Sequence, residues 1–386
     1  MKTYRIIIAA IVCLASLAGC QEALENRHVL YLTGTENSPL TSMFVDGPKS
    51  TPISVTSSQK MNKDVTVNIG VADASEIERL NAERGTLYQM IPAGSFALAQ
   101  DYVTIGEGKN ISNNVMLEIN NLDDFEEGVQ YCIPVTIKGN SDGIGILETS
   151  RIQYILIDKV LHTKGINLAN SWYVTMPAME GDESLKLSAC TMELRVHPKG
   201  FRTSGHMIST LMGVEENFLL RAGDESIKNA TQVQLAGQGT SVTGGHLSLD
   251  QWFHVAVTDT GSELTIYING EPTVTANSSS NKGINLGFKY NTIFGIGWSG
   301  DSGRNFNGYV SEARIWNRAL SAAELKAGQC FVDVTRAEGL IGYWRLNEVE
   351  ADGRTFKDLS GKGYDAVASR NVAAGNFIDL KCPVID

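Results

Sequence analysis

Apolar residues recur at every second position through most of this chain. Val65, Val67, Ile69 and Val71 alternate with polar or small residues, as do Val115, Leu117 and Ile119. Val129, Tyr131, Ile133, Val135 and Ile137 form a third such face, and Ile152, Tyr154 and Leu156 a fourth. Successive side chains of a strand point to opposite sides of its sheet, so the pattern predicts half-buried antiparallel strands. The runs are short and separated by Gly, Asn and Asp, which predicts a sandwich rather than an alternating βα fold. Pro134 has no N–H to give a ladder and is expected at an edge strand or a bulge. Residues 73–84 form the one helix-like piece of this half, with Asp73 as cap, Glu76 reaching back and Gly85 as stop.

The alternation breaks at Asp158, and residues 161–170 are read as a linker between domains at 20–160 and 171–386. Strand patterns then resume. Cys190, Met192, Leu194 and Val196 share one face, with Thr191, Glu193 and Arg195 on the other. Phe253, Val255 and Val257 follow, then Leu264, Ile266 and Ile268. Asn269-Gly270 is a hairpin signal because both residues tolerate positive φ. Ser321-Ala-Ala-Glu324 is a capping box that opens a short helix.

The first residues are not part of this pattern. Lys2 and Arg5 precede an apolar run over residues 6–18, too short to span a bilayer, which takes about 20 residues. A basic start, a short apolar run and small residues at its end make a secretory signal, residues 1–19. The ending Leu17-Ala-Gly-Cys20 resembles the lipobox of bacterial lipoproteins, which implies lipid on Cys20 as the mature N-terminus. Gln21, Glu22 and Glu25 just beyond it resemble the acidic start of lipoproteins sent to the outer face of the outer membrane. Removing residues 1–19 takes the formal net charge from −11 to −13 and leaves 367 residues, enough for two or three domains. Without a Lys/Arg cluster, nucleic acid is not an expected partner. The negative balance gives no attraction to anionic headgroups, so lipid is expected to do the anchoring. Cys132 and Cys190 sit in alternating runs and are read as buried thiols. Cys330 and Cys382 can pair in an exported protein, though their spacing does not decide it.

Four motifs of the second half, in order, resemble the laminin-G-like, concanavalin A-type family. They are Asp250-Gln-Trp-Phe-His-Val-Ala-Val-Thr258, Leu264-Thr-Ile-Tyr-Ile-Asn-Gly270, the run from Phe306 to Leu325, and Gly339-Leu-Ile-Gly-Tyr-Trp-Arg-Leu346 with the Asp358-Leu-Ser-Gly turn. The resemblance implies a jelly-roll sandwich over 171–386. The first half, through Tyr88-Gln-Met-Ile-Pro92, Tyr102-Val-Thr-Ile-Gly106 and Tyr131-Cys-Ile-Pro-Val-Thr-Ile137, resembles an uncharacterised β-sandwich family. That family heads lipoproteins of gut-bacterial glycan-utilisation loci. The fold class expected is therefore all-β, an Ig-like N-terminal β-sandwich followed by a concanavalin A-like jelly roll.

This fold hosts lectins and glucanases alike, so function rests on the site. Glycosidases need two carboxyl groups about 5–10 Å apart across the scissile bond. Jelly-roll glucanases commonly carry them as Glu-x-Asp-x-(x)-Glu, a run this chain lacks. The dense acidic stretch Asp123-Asp-Phe-Glu-Glu127 precedes a strand and is read as a solvated turn. His254 lies in a framework strand, while His206 and His246 have no evident companions, so no catalytic residues are assigned and the chain is not expected to be an enzyme. Sugar binding needs aromatic planes for ring faces and polar groups for hydroxyls. Trp252, Trp316 and Trp344 belong to framework motifs and are read as core, and Trp172 beside Tyr173 as an edge seal. Trp298 differs, lying in Gly295-Ile-Gly-Trp-Ser-Gly-Asp-Ser-Gly-Arg-Asn305, a glycine-bracketed loop. Stacking on Trp298 with Asp301, Arg304 and Asn305 as hydroxyl partners is the candidate site, bordered by Tyr290 and Asn291. Asp224, Asp301 and Asp358 are conceivable calcium ligands but lack any spacing rule, so they are read as turn residues and no metal or cofactor is assigned.

The expectation is a surface-exposed, non-catalytic carbohydrate-binding lipoprotein of the outer membrane. Its partners would be a glycan, the membrane through its lipid and neighbouring glycan-uptake proteins. An adhesin or protein-binding assembly lipoprotein is the alternative, and a divergent glycoside hydrolase the third reading.

Overall fold

The computed structural model describes residues 27–169, 172–237, 240–278, 283–289 and 292–383. Cys20, Tyr290 and Asn291 lie outside the described residues. The chain is mostly strand and divides into two compact units between Val160 and Leu161.

In the first unit the longest sheet runs Leu40–Val45, Ile152–Lys159, Gln130–Asn140, Val65–Val71, Tyr102–Ile105. Its inward residues, among them Val67, Ile69, Ile133, Val135, Ile137, Ile155 and Ile157, pack with Leu30, Leu32, Leu117 and Ile119 of two smaller sheets. Burying each such side chain stabilises by about 1.5–3 kcal/mol, which is what the period-two pattern encodes. The opposite face carries Cys132, Tyr154 and Leu156, covered by Ile77 and Leu80 of the helix Ser75–Arg84.

Two local expectations are corrected. The helix begins after Ala74 with no side-chain cap, and Asp73 contributes only its carbonyl, which accepts from Glu76 N; Gly85 ends the helix at φ 67° as expected. Pro134 sits in a central strand, not at an edge, and the bulge falls at Ile137/Gly139. On one side, Pro134 lies between two successive neighbours of its strand. Gln89–Met90 pairs Tyr131 and Cys132, and Val65–Val71 begins pairing at Val135, so the missing N–H falls in a gap. Asp123–Glu127 forms an exposed turn around buried Phe125, as expected.

The second unit is a sandwich of two eight-stranded sheets. One runs Glu271–Asn277, Glu263–Ile268, Phe253–Asp259, Cys190–Gly200, Asn307–Trp316, Leu161–Asn167, Phe377–Cys382, with Leu340–Trp344 also on Asn307–Trp316. The other runs Thr240–His246, Gln232–Gly237, Phe218–Ala222, Ser209–Val214, Gly295–Ile296, Val174–Thr175, Ala366–Ala368, Thr355–Phe356. Met192, Leu194, Val196, Val255 and Val257 meet Leu211, Leu220, Leu235, Phe294 and Ile296 between them. Asn269 and Gly270 take φ 55° and 76° at the expected hairpin, and Ser321 with Glu324 closes the expected capping box.

The linker expected at 161–170 is instead largely a strand. Leu161–Asn167 pairs with Phe377–Cys382 on one side and with Asn307–Trp316 on the other. After Leu161 the buried alternate positions hold only Thr163 and Gly165, which hides the alternation. Gly165 is required there because a Cβ would come within 2.9 Å of the Trp252 ring. Cys330 and Cys382 form a disulfide, and Cys132 and Cys190 are buried thiols as expected.

Candidate functional site

Each sheet of the second unit has a polar face turned away from the common core, and the two faces differ. On the first sheet, Thr191, Glu193 and Arg195 are joined by His254 and by Glu312, Arg314 and Trp316 of neighbouring strands. Arg314 lies between two acids, with Nη1 donating to Glu193 Oε1 at 3.2 Å and Nη2 to Glu312 Oε2 at 2.9 Å. His254 Nε2 is 2.7 Å from Glu193 Oε2, Trp316 Nε1 donates to Glu193 Oε1, and Tyr343 Oη to Glu312 Oε2. Residues 317–338 close over this network through Leu320, Leu325 and Val332, and Arg314 also donates to the Gly328 carbonyl. Glu193, Glu312 and Arg314 are 0–1% exposed. Burial opposes the charge on Glu193, but Arg314, His254 and Trp316 outweigh it and hold the carboxyl at about 2. Both acids are tied to Arg314 and sealed from solvent. His254 thus has the structural place expected of it.

The polar face of the second sheet is only partly covered: Arg221 and Gln234 are 8% and 1% exposed, while Thr243, Glu215 and Arg304 remain half-buried and Glu216 is exposed. Arg221 Nε donates to Gln234 Oε1 at 2.8 Å, and Gln234 Nε2 to Thr243 Oγ1 at 3.1 Å, a row across three adjacent strands. The same Arg221 pairs with Asp224, which a nearby Ser226 also engages. Beside them Arg304 Nη1 donates to Glu215 Oε1 at 3.1 Å, and Arg304 Nε lies 3.5 Å from Asp301 Oδ2. Burial pushes the Arg221 guanidinium below its ordinary range, against the pull of Asp224 and Glu215. Glu215 Oε2 and Arg304 Nε are buried without a hydrogen-bond partner. A cleft of about 280 Å³ opens between Glu215, Glu216, Leu219, Arg221, Ala236 and Ser241.

The loop holding Trp298 is pinned at both ends. Gly297 N donates to the Leu211 carbonyl and Phe306 N to the Gly297 carbonyl, while Ser299 and Thr210 share a buried hydroxyl contact. Gly297 takes φ 78°, which turns the chain out of the Gly295–Ile296 strand. Trp298 is half-buried and stacks on Tyr173 with centroids 4.1 Å apart. Asp301 caps a short 3₁₀ turn by accepting from Gly303 N.

Of the site residues expected, Asp301 and Arg304 approach each other at 3.5 Å, and Trp298 stands in the same loop but is stacked on Tyr173. Asn305 is not on the surface: it is 1% exposed, and its carbonyl accepts from Arg202 Nε. Sequence reasoning missed Glu215, Arg221, Gln234, Thr243 and the ring of Tyr173. The signal lay in period two, since Phe218, Leu220 and Ala222 are core and Arg221 falls between them. Trp316 and Trp344 are core as expected, Trp172 is buried under Arg370, and Trp252 is half-buried beneath Arg195. Asp358 is a turn residue, accepting from Tyr343, Ser360 and Tyr364 N–H groups. Among the described residues no group of three His, Cys, Asp or Glu gathers as a metal site.

The second unit is thus a two-sheet sandwich with a pinned aromatic loop beside one of its polar faces. Residues 169–326 match the sequence model of the concanavalin A-like lectin/glucanases superfamily in its laminin G form, and the second unit is a domain of that superfamily. Residues 24–144 match a separate N-terminal-domain family. A candidate carbohydrate-binding protein from Bacteroides ovatus shares the fold, at 24% identity and TM-score 0.56 over 90% of this chain and 98% of its own. A two-domain protein of unknown function from Bacteroides fragilis is more distant, at 12% identity and TM-score 0.31 over 77% and 98%. So is a pentraxin from Limulus polyphemus, at 15% and 0.33 over 56% and 96%. No curated protein matches the chain in sequence.

Proposed function

We propose that the chain is a non-catalytic carbohydrate-binding lipoprotein that captures glycan for neighbouring degradation or uptake proteins. Lipid on Cys20 holds it at the outer-membrane surface. The observation that supports the binding reading is the cleft edged by Glu215, Glu216 and Arg221, backed by the Thr243–Gln234–Arg221 row and the Glu215–Arg304 pair, with the Trp298–Tyr173 stack in the loop that also carries Arg304. A sugar ring has apolar faces for the indole and hydroxyls for fixed carboxylate and guanidinium groups, and this patch supplies both. The fold shared with the Bacteroides ovatus protein is consistent with it.

Access and charge both disfavour turnover. A glycosidase acid must give a proton to the leaving oxygen. Glu193 and Glu312 are sealed and tied to Arg314, while Glu215 and Asp301 on the partly covered side both face Arg304. The test is a glycan array probed with the purified full-length chain, followed by a reducing-sugar assay on every hit. Binding without release is the expected result. Release of reducing sugar would overturn the non-catalytic part, and binding that free sugar fails to compete would favour a protein ligand. For the anchor, labelled palmitate should enter the chain and be lost from the Cys20→Ala variant, and external protease should reach the protein on intact cells.

A further inference from the structure

We infer that the patch around Arg304 takes a neutral chain of several sugars and discriminates against anionic glycans, an inference that rests on the carbohydrate-binding reading above. Two clefts carry it. The first, about 280 Å³, has Glu215, Glu216 and Arg221 among its walls. The second, about 430 Å³, is lined by Lys186, Asn217, Ile284, Asn285, Phe288 and again Glu216. Glu216 is exposed and held at φ 61°, so one surface side chain is the rim common to both. Together the clefts fall within the roughly 300–1,000 Å³ that encloses a ligand larger than a single ring. The second adds the half-buried ring of Phe288 and the amides of Asn217 and Asn285, groups suited to a further sugar.

Charge decides the class of that chain. Arginine normally grips a carboxylate or sulfate with its two-pronged fork. Here the cations are engaged: Arg221 by Asp224, Arg304 by Glu215 and Asp301, and in the second cleft the Lys186 ammonium by Glu183 at 2.5 Å. Arg304 Nε is left without an acceptor, but carboxylates outnumber guanidinium groups here, with Glu215, Glu216, Asp224 and Asp301 against Arg221 and Arg304. Glu215 Oε2 is buried without a donor, and Glu216 stands at the shared rim. A buried carboxylate oxygen is costly until a donor reaches it, and a sugar hydroxyl is a neutral donor. A uronate, sialate or sulfate would bring a like charge to the same place, where repulsion is several-fold stronger than in bulk water.

The test is calorimetric titration of the full-length chain with neutral gluco- and manno-oligosaccharides, oligogalacturonate and a sialylated tetrasaccharide. Neutral tetraoses should bind about ten-fold or more tighter than their monosaccharides and than either anionic chain. Glu215→Gln should weaken neutral binding about ten-fold, with an unchanged circular dichroism spectrum. Glu216→Lys, a surface change that leaves the fold intact, should narrow the gap between neutral and anionic chains. Equal or tighter binding of an anionic chain by the native protein overturns this inference and leaves the carbohydrate reading standing. A folded protein that binds no glycan at all overturns both.

Discussion

The second unit holds two arginine–glutamate clusters on opposite faces of one sandwich, and they have opposite fates. Around Arg314 the acids are buried to within 1% and capped by residues 317–338. Around Arg304 exposure is greater, 20% for Arg304, 12% for Glu215 and 46% for Asp301, and Glu215 borders a cleft. Both clusters retain buried polar atoms without partners, Arg314 Nε and His254 Nδ1 on one side, Arg304 Nε and Glu215 Oε2 on the other. Unpaired atoms alone therefore do not mark a binding site. Access does, and access is decided by whether a covering segment crosses the sheet.

The largest effect is expected at the sealed face. Arg314→Met leaves two buried acids without their common cation and should destabilise the second unit by about 3–5 kcal/mol in urea titration. Glycan affinity per folded molecule should stay unchanged, and a loss under about 1 kcal/mol would mean that the network is not structural. The same acid sets a pH dependence. Glu193 has its folded pKa lowered to about 2, so its contribution is complete above the unfolded carboxylate range. It is lost as pH falls from about 5 toward the folded value, and Glu193→Gln should flatten that limb.

Next comes the cover. The Cys330–Cys382 bridge ties it to the Phe377–Cys382 strand across a separation of 52 residues. Cys330→Ala should cost about 2–4 kcal/mol and raise hydrogen exchange across 317–338, whereas unchanged exchange would assign the cover's hold to packing alone. The smallest effect on folding is expected at the partly covered face. Trp298→Ala should cost no more than about 1–1.5 kcal/mol of stability, given half-burial, yet weaken glycan binding about ten-fold. Comparable losses in stability and binding would make Trp298 a structural plug.

Local signals were readable from the chain, and distant ones were not. Strands such as Val65–Val71 and the Asn269-Gly270 hairpin follow from period two and turn chemistry, which involve neighbours only. Leu161–Asn167 escaped because its Phe377–Cys382 partner lies over two hundred residues away and its buried positions include Thr163 and Gly165. Pro134 misled for a related reason, since the gap beside it is made by two separate segments meeting one strand. At the site, the Trp298 loop announced itself by its glycines. Arg221 and Gln234 sit singly between apolar neighbours, and only the sheet order reveals that they line up with Thr243. Asn305 shows the converse, a polar loop residue that turns inward once Arg202 claims its carbonyl.

The most direct measurement is a crystal structure of the full-length chain soaked with a neutral tetraose. The account predicts a ring stacked on the free face of Trp298 and a hydroxyl donating to Glu215 Oε2. Saccharide bound elsewhere on the molecule, with the patch around Arg304 left bare, would contradict it.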